Sequence, residues 1–93
     1  MSELSVRKPQ LARGVRLRFD GVRDRHVLLV PEGALALNST AVAVLELCDG
    51  QRTVDEISDE LSARYNGAAV HAEVQNLVEA IAGRGFLVDA AEA

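Results

Sequence analysis

Ninety-three residues, 48% of them hydrophobic but only three aromatic, hold one domain with an aliphatic core and leave almost nothing for a nucleic-acid site built on stacked rings. A single cysteine, Cys48, excludes an internal disulfide and fits a reducing compartment. The net charge of -4 is uneven, with seven cations against three carboxylates in residues 1–30 and three against eleven in residues 31–93, so a basic face that attracts an acidic partner stands beside the plainer reading of a solvated surface.

The chain opens on Met1-Ser2-Glu3-Leu4-Ser5, which lacks the apolar core of a secretion signal, and no apolar run approaches the ~20 residues of a membrane span. A soluble, cytoplasmic protein is expected. Residues 1–14 are polar, contain Pro9 and end at Gly14, and read as a flexible arm. From Val15 the pattern alternates, with Val15, Leu17 and Phe19 on one face and Arg16, Arg18 and Asp20 on the other, which predicts a half-buried strand. A longer connection through Arg23-Asp24-Arg25 leads to a second strand over 26–30. Its continuous apolar run predicts cover on both faces. Pro31-Glu32-Gly33 makes the turn, since Pro31 has no N–H for a ladder and Gly33 accepts a positive φ. Ala34 to Leu37 form a short third strand.

Three helices follow. Asn38, Ser39 or Thr40 caps the first, whose stripe Ala41, Val44, Leu45 and Cys48 runs until Asp49-Gly50. Thr53-Val54-Asp55-Glu56 is a capping box opening the second, which turns Val54, Ile57, Leu61 and Tyr65 inward and carries an acidic outer face until Asn66-Gly67. The third runs from Val70 to Ala82 with Val70, Val74, Leu77, Val78 and Ile81 at helical spacing, and Gly83-Arg84-Gly85 closes it. Phe86-Leu87-Val88 packs back on the body, and residues 89–93 fray. The fold class is therefore α+β: a three-stranded antiparallel N-terminal sheet followed by a three-helix bundle, winged-helix-like, with residues 15–88 as one domain.

Catalytic chemistry needs convergent reactive groups, and none is spaced for it. His26 and His71 are far apart, and neither has a partner at metal-ligand spacing. Cys48 sits on an apolar stripe, where an inert structural thiol is the ordinary case. Gly83 and Gly85 follow a helix, so they read as its C-terminal cap and not as a phosphate loop. The protein is expected to be no enzyme, with no metal and no cofactor. The residues leave three roles open. A winged-helix DNA-binding domain would place its third helix on phosphate, but that helix carries Glu73 and Glu79, which speaks against it. A peptide-binding module would use the edge of the third strand to pair an extended segment. A subunit or oligomerisation domain without a ligand is the third, since free edges also permit a homodimer.

The run Val27-Leu28-Leu29-Val30-Pro31-Glu32-Gly33-Ala34-Leu35-Ala36-Leu37-Asn38 resembles the "VLLYPEG…LN" core of the PqqD family, peptide chaperones of pyrroloquinoline quinone biosynthesis. Cys48-Asp49-Gly50, then Arg52-Thr53-Val54, Ile57 and Leu61, is similar to the family's "CDG-x-RTV…I…L" segment. Val70, Val74, Leu77 and Gly85-Phe86-Leu87 are similar to its closing helix and "GWL" end. Val30 replaces an aromatic residue and Phe86 replaces a tryptophan. The resemblance implies a non-catalytic chaperone that binds the ribosomal precursor peptide PqqA and presents it to the radical S-adenosylmethionine enzyme PqqE. A recognition domain of another ribosomal-peptide modification pathway is the alternative.

The resemblance also implies a site. The precursor would add as a strand beside Ala34, Leu35, Ala36 and Leu37, against a helix wall drawn from Val74, Leu77, Val78 and Ile81, although core packing is a rival role for each of those four. Arg16, Arg18, Arg23 and Arg25 would steer an acidic precursor. Leu35→Pro is expected to abolish binding while sparing most of the fold, by removing an edge donor.

Overall fold

The computed structural model describes residues 6–65 and 70–90. Eight elements follow in order: β1 (Pro9–Leu11), β2 (Arg16–Asp20), β3 (Arg25–Val30), β4 (Gly33–Ala36), α1 (Ser39–Glu46), α2 (Val54–Tyr65), α3 (Val70–Gly83) and β5 (Leu87–Asp89). The strands form two antiparallel sheets, ordered β2-β3-β4 and β1-β5. The α+β class and the antiparallel three-stranded sheet stand as expected. The second sheet was not anticipated.

That second sheet corrects the reading of a flexible arm over residues 6–14; residues 1–5 lie outside the described residues. Pro9 pairs with Asp89, Gln10 with Val88 and Leu11 with Leu87. The backbone is tied on both sides: Gly50 N donates to Pro9 O at 3.0 Å, Val54 N to Arg7 O at 3.1 Å, and Ala90 N to Lys8 O at 2.9 Å. Val6 is buried, and Pro9 is among the fully buried side chains. Pro9 is tolerated because it is the first residue of its strand. Asp89 and Ala90 are ordered by the same contacts, so fraying of the tail does not extend to them; residues 91–93 lie outside the described residues.

Each helix is set by local chemistry. Asn38 caps α1, its Oδ1 accepting from Ala41 N at 2.8 Å. The helix ends at Glu46, earlier than Asp49-Gly50, because Leu47 N and Cys48 N turn to the i−3 carbonyls of Val44 and Leu45, both at 3.1 Å. The capping box of α2 forms in full: Thr53 N donates to Glu56 Oε1 at 2.7 Å, and Glu56 N donates to Thr53 Oγ1 at 3.1 Å. The Thr53 backbone N–H, and after it the Thr53 side chain, hold the Glu56 carboxyl below its usual range. Arg52 bridges Asp49 at 2.8 Å and Glu60 at 3.4 Å, fixing the turn ahead of α2. Such exposed pairs contribute no more than about 1 kcal/mol each. The expected stop of α2 at Asn66-Gly67 lies outside the described residues.

The core is Leu28 of the sheet against Val44, Val54, Ile57, Leu61, Val74 and Val78 of the helices, closed at one end by Phe86 and Leu87. Three inward assignments are corrected. Phe19 is 55% exposed, because β2 runs past the helices that cover Val15 and Leu17; its ring meets His26 edge-on at 5.1 Å. Tyr65, at the last turn of α2, is 56% exposed. In β3 only Leu28 is fully buried, so one face of the sheet lacks the cover expected for it.

Candidate functional site

The site begins with the turn that makes β4. Pro31-Glu32 joins β3 to β4, and Gly33 takes φ +152°, which an L side chain rarely adopts. β4 then pairs with β3 as Val30–Gly33, Leu29–Ala34, Leu28–Leu35 and Val27–Ala36. Nothing among the described residues pairs with its other edge.

The ladder decides which groups that edge offers. Leu37 N donates to His26 O at 3.2 Å, so Leu37 and His26 are a hydrogen-bonded pair. Antiparallel pairs alternate between bonded and non-bonded. Leu35 with Leu28 is therefore bonded inward, whereas Ala34 and Ala36 turn their N–H and C=O groups to the open edge. This corrects the expectation for Leu35→Pro: the Leu35 N–H belongs to the internal ladder, and its loss harms the sheet before it harms an edge.

Side chains sort by the same parity. Leu35 and Leu37 face inward, half-buried against the core, and Ala34 and Ala36 are exposed on the outer face. Small side chains there leave the edge backbone unshielded. Asn38, two residues after the end of β4, caps α1 and bends the chain away.

Beside that bend lies a groove of about 360 Å³ lined by Asn38, Thr40, Ala41, Glu73, Asn76 and Leu77. A second cavity of about 270 Å³, largely apolar, adjoins it through Thr40 and Glu73 and is floored by Ala43, Leu61 and Val74. Of the four expected wall residues, Leu77 alone lines the groove. Val74 and Val78 are 0% exposed and Ile81 8%, which makes them core. The physical reason is helical phase: the stripe through Val74, Val78 and Ile81 points at α2 and the sheet, and the groove is lined by its flank. Glu73 and Asn76 were missed. They sit one turn and one residue before Leu77, and that flank position was the only sequence signal for them.

The arginines are placed across the sheet. Arg16 pairs with Leu29, which pairs with Ala34; Arg18 pairs with Val27, which pairs with Ala36. With strands ~4.8 Å apart, the backbones of Arg16 and Arg18 lie about 10 Å from β4. Arg25 is at the far end of β3, and Arg23 is in the β2–β3 loop. They do not line the groove, so any effect on a ligand there is long-range.

No chemistry of bond-making converges here. Among the described residues no group of three or more His, Cys, Asp or Glu side chains could hold a metal ion. The Cys48 thiol is pushed up to about 12, chiefly by burial and then by the charge of Asp49, and it donates to Val44 O at 3.3 Å. No helix among the described residues is long and apolar enough to cross a membrane. What the arrangement can do is pair backbone with an extended segment and seat its side chains in the groove.

Comparison with known proteins points the same way. The family profile described as coenzyme PQQ synthesis protein D (PqqD) matches residues 25–87. A "PqqA binding protein" of Rhodopseudomonas palustris (strain BisB5) is 41% identical over 91% of this chain and 85% of its own length. A "bifunctional coenzyme PQQ synthesis protein C/D" of Methylorubrum extorquens is 44% identical over 85% of this chain, which corresponds to 22% of that longer protein. The solution structure of the PqqD truncation of Methylobacterium extorquens PqqCD, described as a functional, stand-alone recognition element for ribosomally synthesised and modified peptides, superposes with a TM-score of 0.73. It is 44% identical and covers 86% of this chain and 87% of its own.

Proposed function

The chain belongs to the PqqD family, and from that premise we propose that it is a non-catalytic recognition protein of pyrroloquinoline quinone biosynthesis that binds the ribosomal precursor peptide PqqA. The observation that carries this reading is the open edge of β4: two exposed alanines present unpaired backbone groups next to a groove at α3. The precursor adds as a further strand through Ala34 and Ala36 and places alternate side chains against Leu35, Leu37 and Leu77. Backbone pairing gives affinity, and the groove gives specificity.

In this account the protein holds the peptide and presents it to PqqE in the cytoplasm, where the precursor is made. We read the strand–helix order as a winged-helix variant whose basic hairpin occupies the wing position. Arg16, Arg18, Arg23 and Arg25 steer an acidic precursor from a distance comparable with the Debye length of about 8–10 Å, so steering fades as salt rises.

A calorimetric titration of the protein with synthetic PqqA tests the function. Saturable binding of one peptide per chain is expected. Absence of heat and of any amide-shift change at high peptide concentration would overturn the reading. Two copies that pair through the β4 edge would instead show peptide and self-association competing.

A further inference from the structure

The surface feature that the peptide edge does not use is the β2–β3 hairpin. We propose that its tip is a docking finger for a folded partner protein with an acidic surface around an apolar notch, and that the partner binds there while the peptide occupies β4. The proposal rests on the peptide-recognition reading above.

Three observations carry it. The first is exposed apolar area: Val22 is 95% exposed and Phe19 55%, so the two large hydrophobic side chains of the tip are left in water. The second is charge. Arg16, Arg18, Arg23 and Arg25 make no ion pair among the described residues, so the positive face is not neutralised by the acidic helices. Phe19 and the arginines are of residue types enriched in interface cores, and Val22 adds apolar area beside them. A surface evolved for phosphate alone has no use for Val22. The third is rigidity and place. Asp20 Oδ1 accepts from Val22 N at 3.0 Å, holding the loop in a fixed turn, and β2 lies at the opposite edge of the sheet from β4. An anchor on a rigid turn loses little entropy on docking. The M. extorquens relative, in which this domain is 22% of a longer chain, shows a family member working beside another folded unit.

The test uses the purified PqqE enzyme as the probe and Val22 as the site, because a residue this exposed changes without harm to the fold. Val22→Glu is expected to weaken binding to PqqE at least tenfold more than Val22→Lys does, since both lose the apolar anchor and only the carboxylate is repelled by an acidic surface, while both bind PqqA within twofold of the parent protein. Equal loss in both variants would remove the acidic partner, and no loss in either would remove the docking site. Loss of self-association in Val22→Glu would name a second copy as the occupant, and loss of duplex DNA retention would name nucleic acid; either overturns the proposal. Failure of all variants to bind PqqA would instead defeat the peptide reading, and the two titrations report these outcomes separately.

Discussion

Replacing Ala34 and Ala36 together by proline removes both N–H groups that face the open edge and leaves the β3–β4 ladder intact. Proline is tolerated on an edge strand when its missing donor points outward. Each donor lost to an incoming peptide removes about 0.5–1.5 kcal/mol net, so the pair removes about 1–3 kcal/mol, a weakening of roughly 5- to 150-fold. Stability should change little, because neither N–H has a partner among the described residues. Leu35→Pro is the control. It takes a donor from the Leu28–Leu35 pair and half-buried apolar area from the core, so it lowers unfolding stability by at least about 1 kcal/mol. Peptide titration calorimetry and urea unfolding on the same preparations read both quantities. The reasoning is refuted if the alanine-to-proline pair binds PqqA as the parent does, or if Leu35→Pro loses binding with an unchanged urea midpoint.

Three further predictions concern the scaffold. Ser58 is 0% exposed, and its hydroxyl has no partner among the described residues, so Ser58→Ala should raise stability by about 1 kcal/mol in urea unfolding; a clear loss would mean that the hydroxyl is satisfied. Thr53→Ala removes the α2 cap and should cost about 1 kcal/mol. After the Thr53 backbone N–H, which the variant keeps, the Thr53 side chain helps to hold Glu56 below its ordinary 4.5; the part of the stabilisation that it supplies is present above that pH and lost as pH falls through the lowered value, so the urea midpoints of parent and variant should draw closer on acidification, and a gap that stays constant would refute the linkage. The neutral Cys48 thiol contributes stability that is present below 9.0 and is lost as pH rises towards 12, so the folded protein should resist thiolate reagents at pH 8 and react only on unfolding. Prompt labelling of the native chain would contradict this.

How much of this was legible in the sequence follows from the range of each interaction. The capping box Thr53–Glu56, the Asn38 cap and the turn at Gly33 are local, and residue types three or fewer positions apart announce them. Helical phase was legible too, since Val74, Val78 and Ile81 fall on one stripe. Burial puts all three in the core, the rival role the stripe left open, because an apolar stripe does not say what it faces. β1 was missed because its partner is β5, some 80 residues away, and three residues opening on Pro9 carry no strand signal of their own. Phe19 keeps the parity of Val15 and Leu17, but parity does not tell where the covering helices stop. Which β4 residues bond inward depends on register with β3. Ala34 and Ala36 became the edge groups only once Leu37 was seen bonded to His26.

The central claim is that Ala34 and Ala36 are the peptide's backbone partners. Amide hydrogen exchange, followed residue by residue with and without saturating PqqA, tests it most directly. In the free protein the Leu35 and Leu37 amides should be protected by β3, while those of Ala34 and Ala36 exchange freely. On binding, Ala34 and Ala36 should become protected in step with the occupancy of the peptide. If both amides exchange in the saturated complex as fast as in the free protein, strand addition at β4 is not how this protein holds its ligand.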